Sequence, residues 1–498
     1  MIRKTFFAIL FVFVVWNSYG QSNYFNNTLH INGLWSYGRS IVYKDSSYYV
    51  SALSYDTIYS IYAVRRLSIC KFDKNGDLIL RKYIGWGERH YWVGFSGCLQ
   101  PTSDNNFISV GVVSDTIEAN AYLVKFNSNL DTIFFREYKD TIVNHIQFYQ
   151  GIETYDKGYI MIGIRASSAA YNQDVFVLKT DSLGIEQWRK VFNLGSFDVG
   201  QNIIQTPDKG YLLGCYHINV NDNNSGDGRI LKLDSLGNFE WGQIIGGPKQ
   251  DGVPIVALAK DSNYIVASSY AYITVFGAAS DLKIQIVKLD KADGSIIWNK
   301  QFDTIRTINY PSTLKVLENG DIITVGNTDI WDGYNYYGTC WLLKINENGD
   351  SLLYRQFYKN NDNYTQSNYV YDFCITEDKS IVTCGYLNTD TAYSYLWLAK
   401  MDSLGCLQPG CQYVGVEKLQ KGKKELQIFP NPATTQTTIT YPTAEKAMML
   451  QIYNMLGQVV YEEKLSKGSS QCTIDTRAYK KGLYKVVAGE SSGSLIIN

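Results

Sequence analysis

Chemistry in a chain shows first in histidines, carboxylates and cysteines at fixed short spacings. The four histidines here, His30, His90, His145 and His217, form no H-E-x-x-H or comparable metal pair. No G-x-S-x-G elbow and no P-loop occurs, so a catalytic triad would have to be assembled from distant loops, and no catalytic residue is assigned. Aromatic clusters carry more information. Trp86-Gly-Glu-Arg-His90-Tyr-Trp92 offers ring faces beside polar groups, a combination that can stack on a sugar; a packed loop between repeat units is the simpler reading. The loop 219–228 holds Asp222, Asn224 and Asp227, oxygen ligands suited to a hard cation such as calcium. An ordinary solvated loop is the favoured reading, so no metal site is assigned and calcium is the one cofactor considered. Trp331, Tyr334 and Tyr336 lie in a Tyr-, Asn- and Asp-rich stretch, as does 360–371, a composition of large rings and adaptable amides suited to recognition. The ligand-binding candidates are therefore Trp86, His90, Trp92, Trp331, Tyr334 and Tyr336.

Nine cysteines are present, an odd number, and none forms a C-x-x-C pair. Cys406 and Cys411 bracket Pro409-Gly410 and could close a turn by a disulfide. Cys374 and Cys384 flank the turn 377–380 and could bridge two neighbouring strands. Cys70, Cys98, Cys215 and Cys340 sit in apolar strand contexts and read as small core residues.

The elements that would position these groups declare themselves by repetition. A strand carrying one lysine recurs seven times, at Lys71, Lys125, Lys179, Lys232, Lys288, Lys344 and Lys400, at intervals of 53 to 56 residues. A turn ending in glycine follows most copies, as in Asp181-Ser-Leu-Gly184 and Asp234-Ser-Leu-Gly237. The next strand bears an aromatic or large apolar residue nine or ten positions after the lysine: Leu80, Phe134, Trp188, Trp241, Trp298 and Tyr354. A second hairpin precedes each lysine, for example Thr154-Tyr-Asp-Lys-Gly-Tyr-Ile160, and its apolar run often ends in glycine, as at Gly163 and Gly385. Four short strands per unit with no room for a helix describe a propeller blade, whose two faces cannot be buried alone. The fold class is all-β: a seven-bladed β-propeller spanning 21–415, with an open solenoid as the structural rival. The seventh unit lacks its fourth strand, and 28–35 is expected to supply it. A lysine present in every unit is read as scaffold, since a functional site rarely has seven copies.

Residues 1–20 combine a basic start (Arg3, Lys4), an apolar run from Phe6 to Trp16 and small residues before Gln21, the pattern of a cleaved signal peptide. The apolar run is far short of the ~20 residues a spanning helix needs, and no second such run follows, so no transmembrane segment is expected in the mature chain. A net charge of −1 gives no field to hold nucleic acid. After a Lys-rich linker at 416–425, residues 426–498 show alternating runs expected of a small Ig-like β-sandwich.

The motifs in that last segment resemble the type IX secretion system C-terminal sorting domain (type A). Ile428-Phe-Pro430-Asn431-Pro432-Ala433 is similar to the family's opening motif. Ile452-Tyr-Asn-Met-Leu-Gly457-Gln458 is similar to its central strand and turn, Lys481-Gly482-Leu-Tyr484-Lys485-Val486 to its penultimate strand, and Ser494-Leu-Ile-Ile-Asn498 to its last. The resemblance implies passage across the inner membrane by the signal peptide, reading of the domain by an outer-membrane translocon, and release or display at the cell surface. The expected function is a secreted or cell-surface propeller that binds an extracellular glycan or protein. The alternative is a secreted enzyme degrading polysaccharide or peptide at the propeller axis, where paired carboxylates or a histidine would have to converge.

Overall fold

A computed structural model describes residues 24–497 apart from 31–34, 57–63, 167–172, 196, 220–224, 248–250, 276–277, 303–307, 332–335, 360–366, 389–393, 409–425, 442, 444–446, 455–458 and 490. The predicted signal peptide lies outside the described residues. The chain divides into two compact units, Met1–Cys411 and Gln412–Asn498.

The first unit is a seven-bladed β-propeller. Each blade is an antiparallel meander; in blade 3 the strands run, from innermost to outermost, His145–Glu153, Tyr159–Ala166, Gln173–Thr180 and Glu186–Phe192. Blade 2 varies only in its innermost strand, which is split into His90–Val93 and Leu99–Pro101. Blade 7 has three sequential strands, Asn368–Ile375, Ile381–Asn388 and Ser394–Met401, and the N-terminal strand Phe25–Leu29 completes it on the outside. Closure by the chain start is as expected, but the strand is Phe25–Leu29, so only Thr28 and Leu29 of the expected 28–35 belong to it. The reason is Phe25. It stands across from Lys400 as Trp188 stands across from Lys179 and Trp241 from Lys232, so it is the seventh copy of the outer-strand aromatic or large apolar residue. In blade 6 that position is Leu353, opposite Lys344, and not Tyr354 one residue on.

These outer aromatics hold neighbouring blades together. Trp188 of blade 3 packs edge-on against Tyr211 of blade 4 with ring centroids 6.0 Å apart, Phe25 meets Tyr48 of blade 1 at 5.8 Å, and Trp241 meets Tyr264 of blade 5 at 6.1 Å. The glycine that ends the following turn lies on the same ring. At Gly237, where φ is +78°, a Cβ would overlap the Trp188 indole, so the turn needs glycine both for its backbone and for its neighbour.

The repeated lysines are also explained. Six of the seven reach back to the aspartate of the upstream hairpin: Lys125 to Asp104 (2.6 Å), Lys179 to Asp156 (2.8 Å), Lys232 to Asp208 (2.8 Å), Lys288 to Asp261 (2.7 Å), Lys344 to Asp321 (2.9 Å) and Lys400 to Asp378 (3.3 Å). In blade 1 the hairpin is a tighter turn through Asp45 and Ser46, and Lys71 donates instead to the Ser128 carbonyl of blade 2. These lysines are scaffold.

The second unit is a two-sheet β-sandwich. One sheet comprises Gln427–Phe429, Gln436–Thr440 and Gln471–Asp475; the other comprises Met448–Tyr453, Val459–Leu465, Gly482–Ala488 and Ser491–Ile497. Ile439, Leu450, Ile452, Val486 and Leu495 fill its core.

Candidate functional site

Innermost strands run from one face of the propeller to the other, and in five blades the strand bulges at one corresponding position. The bulges fall between Gly38 and Ser40, Phe148 and Gln150, Gly200 and Asn202, Pro311 and Thr313, and Val370 and Asp372. A bulge inserts one residue and re-aims its side chain. The inserted residues are Arg39, Tyr149, Gln201, Ser312 and Tyr371. In blade 2 the strand breaks outright, which places Phe95 at the same level. The bulged backbone presses on the second strand. A Cβ at Gly163 would overlap the Gln147 carbonyl and one at Gly385 the Tyr369 carbonyl, which is why those apolar runs end in glycine.

Just past several of these bulges, a polar side chain ties one blade to the next in a belt. Asp372 Oδ2 accepts from Ser40 Oγ (2.6 Å) and the Ile41 N–H (3.1 Å). Gln150 Oε1 accepts from Asn202 Nδ2 (2.9 Å) and the Ile203 N–H (2.6 Å), and Asn202 Oδ1 accepts from the Val256 N–H (2.8 Å). Below the belt the channel widens into a cavity of 490 Å³, lined among others by Tyr43, Gln100, Ile204, Leu314, Lys315 and Asp372. The one carboxylate among these described lining residues is Asp372, and it is committed to the belt. Above the belt a second cavity of 210 Å³ is lined by Phe95, Gln201, Val253, Tyr310, Ser312 and Tyr371.

Two lining residues of that upper cavity, Phe95 and Tyr371, belong to a ladder of flat groups. Tyr369 stacks on Tyr386 (5.0 Å), Tyr386 on Tyr371 (5.8 Å), and the Arg39 guanidinium lies 4.1 Å from the Tyr371 ring centre and 5.0 Å from that of Phe95. Phe95 in turn packs on Tyr149 at 4.8 Å. The ladder crosses blades 7, 1, 2 and 3, and its members are half-buried. Burial pushes the Tyr149 hydroxyl up to about 12, so it stays a neutral donor.

The sequence candidates divide. Trp86, His90 and Trp92 come together where blade 1 passes to blade 2, on the same face as the mouth. Trp86 is 58% exposed and edge-on to Tyr91 and Phe135. Trp92 carries the Arg65 guanidinium 3.8 Å from a ring centre, and Arg65 also donates to the Tyr55 hydroxyl (3.1 Å). His90 is packed into the same cluster: its Nδ1 accepts the Arg65 N–H (3.2 Å), and burial together with Arg65 and Arg66 disfavours its charged form. Trp331 and Tyr336 face each other across the second and third strands of blade 6, at the mouth-face end, while their side chains and Tyr334 lie outside the described residues. Asp222 and Asn224 also lie outside them; Asp227 stands across from His217 in blade 4. No three described His, Cys, Asp or Glu side chains cluster as a metal site.

His217 forms a buried pair with Asp198 (Nδ1 to Oδ1, 2.7 Å), but Asp198 also accepts the Leu194 and Gly195 N–H groups and so anchors the start of the innermost strand. Asp251 has the same position in blade 5, accepting from Gly247 (2.8 Å) and Ala271 (2.7 Å). Burial, with Asp227 nearby, outweighs those bonds and raises its carboxyl to about 7.

Cys406 is disulfide-bonded, and Cys411 lies outside the described residues. Cys374 and Cys384 are free, contrary to expectation. Cys374 stands opposite Val382 and Cys384 opposite Asp372, so the two are offset by two residues, and burial pushes the Cys374 thiol up to about 12.

In the second unit, the motif Pro430-Asn431-Pro432 clamps the last strand. Asn431 Nδ2 donates to the Ser494 carbonyl (2.7 Å), its Oδ1 accepts the Ile496 N–H (2.8 Å), and the Ala433 N–H donates to the Ile496 carbonyl (2.8 Å). Both X–Pro bonds of the motif are cis. Tyr484 donates to the Lys480 carbonyl (2.6 Å), Gly482 opens the penultimate strand, and Gly457 lies outside the described residues.

Residues 427–497 match the secretion system C-terminal sorting domain. With this sorting domain the protein is secreted or held at the cell surface. Among the described residues, no helix is long and apolar enough to cross a membrane. No curated protein sequence matches the chain. Solved structures similar to it include a PL25 ulvan lyase (TM-score 0.45, 8% identity, covering 76% of this chain and 97% of that one). A Penicillium chrysogenum α-L-arabinanase in complex with arabinobiose gives 0.40 at 14% identity, covering 61% and 92%. A puromycin hydrolase gives 0.47 at 10%, covering 82% of this chain and 59% of the other.

Proposed function

We propose that the protein is an exported binding module whose propeller takes an extracellular glycan at the mouth of its central channel. The observation that carries this reading is the ladder from Tyr369 to Tyr149, a run of flat, half-exposed groups, three of them inserted by strand bulges, beside a 210 Å³ cavity that Phe95 and Tyr371 line. Sugar rings present apolar C–H faces and a hydroxyl rim, which suits stacking on aromatic rings beside amides and hydroxyls. The Trp86–Trp92 cluster on the same face would extend the surface for a longer chain.

The test is a glycan array probed with the purified mature protein, followed by Tyr371→Ala and Tyr149→Ala. Loss of about tenfold in affinity with an unchanged melting temperature supports the reading, in line with the effect of removing a central aromatic anchor. Binding that survives both substitutions overturns it. Release of soluble products from a bound glycan, stopped by Asp372→Asn, would favour the degrading-enzyme alternative instead.

A further inference from the structure

Arg39 is the inserted residue of the blade 1 bulge, and its guanidinium is held between the rings of Tyr371 and Phe95. Among the described residues no carboxylate pairs with it and no carbonyl accepts from it. Two other arginines of the same unit differ in this respect. Arg89 forms a two-pronged pair with Glu137 (2.8 and 2.9 Å), and Arg165 is paired with Asp140 (2.9 Å). A half-buried guanidinium keeps five in-plane donors, and contact with two rings holds it in place without using them. The upper cavity that these two rings line has no charged residue among its described lining, and Arg39, held against both rings, is the charged group next to it. Gln201, from blade 4, lines the same cavity and makes no hydrogen bond to another described residue.

Resting on the glycan-binding reading above, we infer that this site selects an acidic polysaccharide, its carboxylate or sulfate group accepting from the edge of Arg39 while the sugar stacks on the adjoining rings. A guanidinium matches both anions in a planar, two-pronged geometry, and the low-dielectric rings strengthen the contact relative to open water. The flanking amide and hydroxyl of Gln201 and Ser312 would meet neutral sugar hydroxyls, so charge selection rests on Arg39.

The experiment uses the full mature chain and measures affinity for paired polymers that differ only in charge: polygalacturonate against its methyl ester, and dextran sulfate against dextran. The first pair reads carboxylate and the second sulfate. The expected result is tighter binding of at least one charged member by about tenfold or more, reduced to parity with the neutral member by Arg39→Gln. Arg39→Lys should restore only part of the preference, because an ammonium is a point charge without the planar, two-pronged donors of a guanidinium. Melting temperature checks that each variant is folded. Charged and neutral members binding alike, or a preference that survives Arg39→Gln, overturns the inference while leaving glycan binding intact. Binding of none of the four polymers or of any array glycan overturns both.

Discussion

At the scale of single residues, the recurring Lys–Asp pair is asymmetric, and the asymmetry makes a prediction. Lys179 is 3% exposed and Asp156 is 56% exposed. Removing the aspartate leaves a buried ammonium with only the Thr180 carbonyl and Gln187 as partners, whereas removing the lysine leaves a carboxylate that water already reaches. Asp156→Ala should therefore cost about 1–3 kcal/mol in denaturant unfolding, and Lys179→Met, which replaces the charge with an apolar chain, should cost clearly less. The same pairs set the acid limit. Partial burial opposes the charge on Asp378, but the Thr376 hydroxyl, Ser380 and Lys400 outweigh it and hold the carboxyl at about 2; Asp104, Asp156, Asp208, Asp261 and Asp321 are lowered in the same way. A lowered folded value means stability that is complete above the unfolded value near 4 and lost as pH falls towards 2. Asp251 works in the opposite sense: raised to about 7, it makes stability fall as pH rises from about 4 to 7. Melting curves from pH 2 to 8 should thus show a steep acid limb, shallower in Asp156→Asn/Asp208→Asn, and a gentle decline above pH 4 that is absent in Asp251→Asn.

At the scale of the strand, the bulge is the unit that converts scaffold into site. It pushes Arg39, Tyr149, Gln201, Ser312 and Tyr371 towards the axis, and it presses the innermost backbone onto the glycine of the next strand. Gly163→Ala must move that backbone, so it should destabilise by about 1–3 kcal/mol and also weaken ligand binding by displacing Tyr149. A variant that loses neither stability nor affinity would show that the bulge is not what positions the ring. The repeated glycine was visible in the sequence. Its cause was not, because the overlapping carbonyl belongs to a residue on another strand.

At the scale of the whole molecule, the two units have separate tasks, and each can be removed in an experiment. Deleting 427–497 removes the sorting domain and should leave the propeller in the periplasm, read by fractionation and immunoblot; surface or medium signal from the truncated chain would contradict the export route. Asn431→Ala removes two hydrogen bonds that hold the last strand. The same fractionation should show reduced surface delivery, because the terminal strand frays before the rest of its sheet.

The sequence alone established the repeat, its period, the turn glycines and the sorting motifs, because each depends on local backbone preference or on a pattern carried within one unit. It also led to the chain start as the closing partner of blade 7, but only Thr28 and Leu29 of the expected 28–35 pair there, because the register that sets Phe25 opposite Lys400 and its packing on Tyr48 are tertiary. The mouth of the channel was decided by tertiary structure. Its members Arg39, Phe95, Tyr149 and Tyr371 lie in four blades and share no motif; they meet because ring closure brings the innermost strands of all seven units to one axis, and because a bulge there reverses which side chains face it.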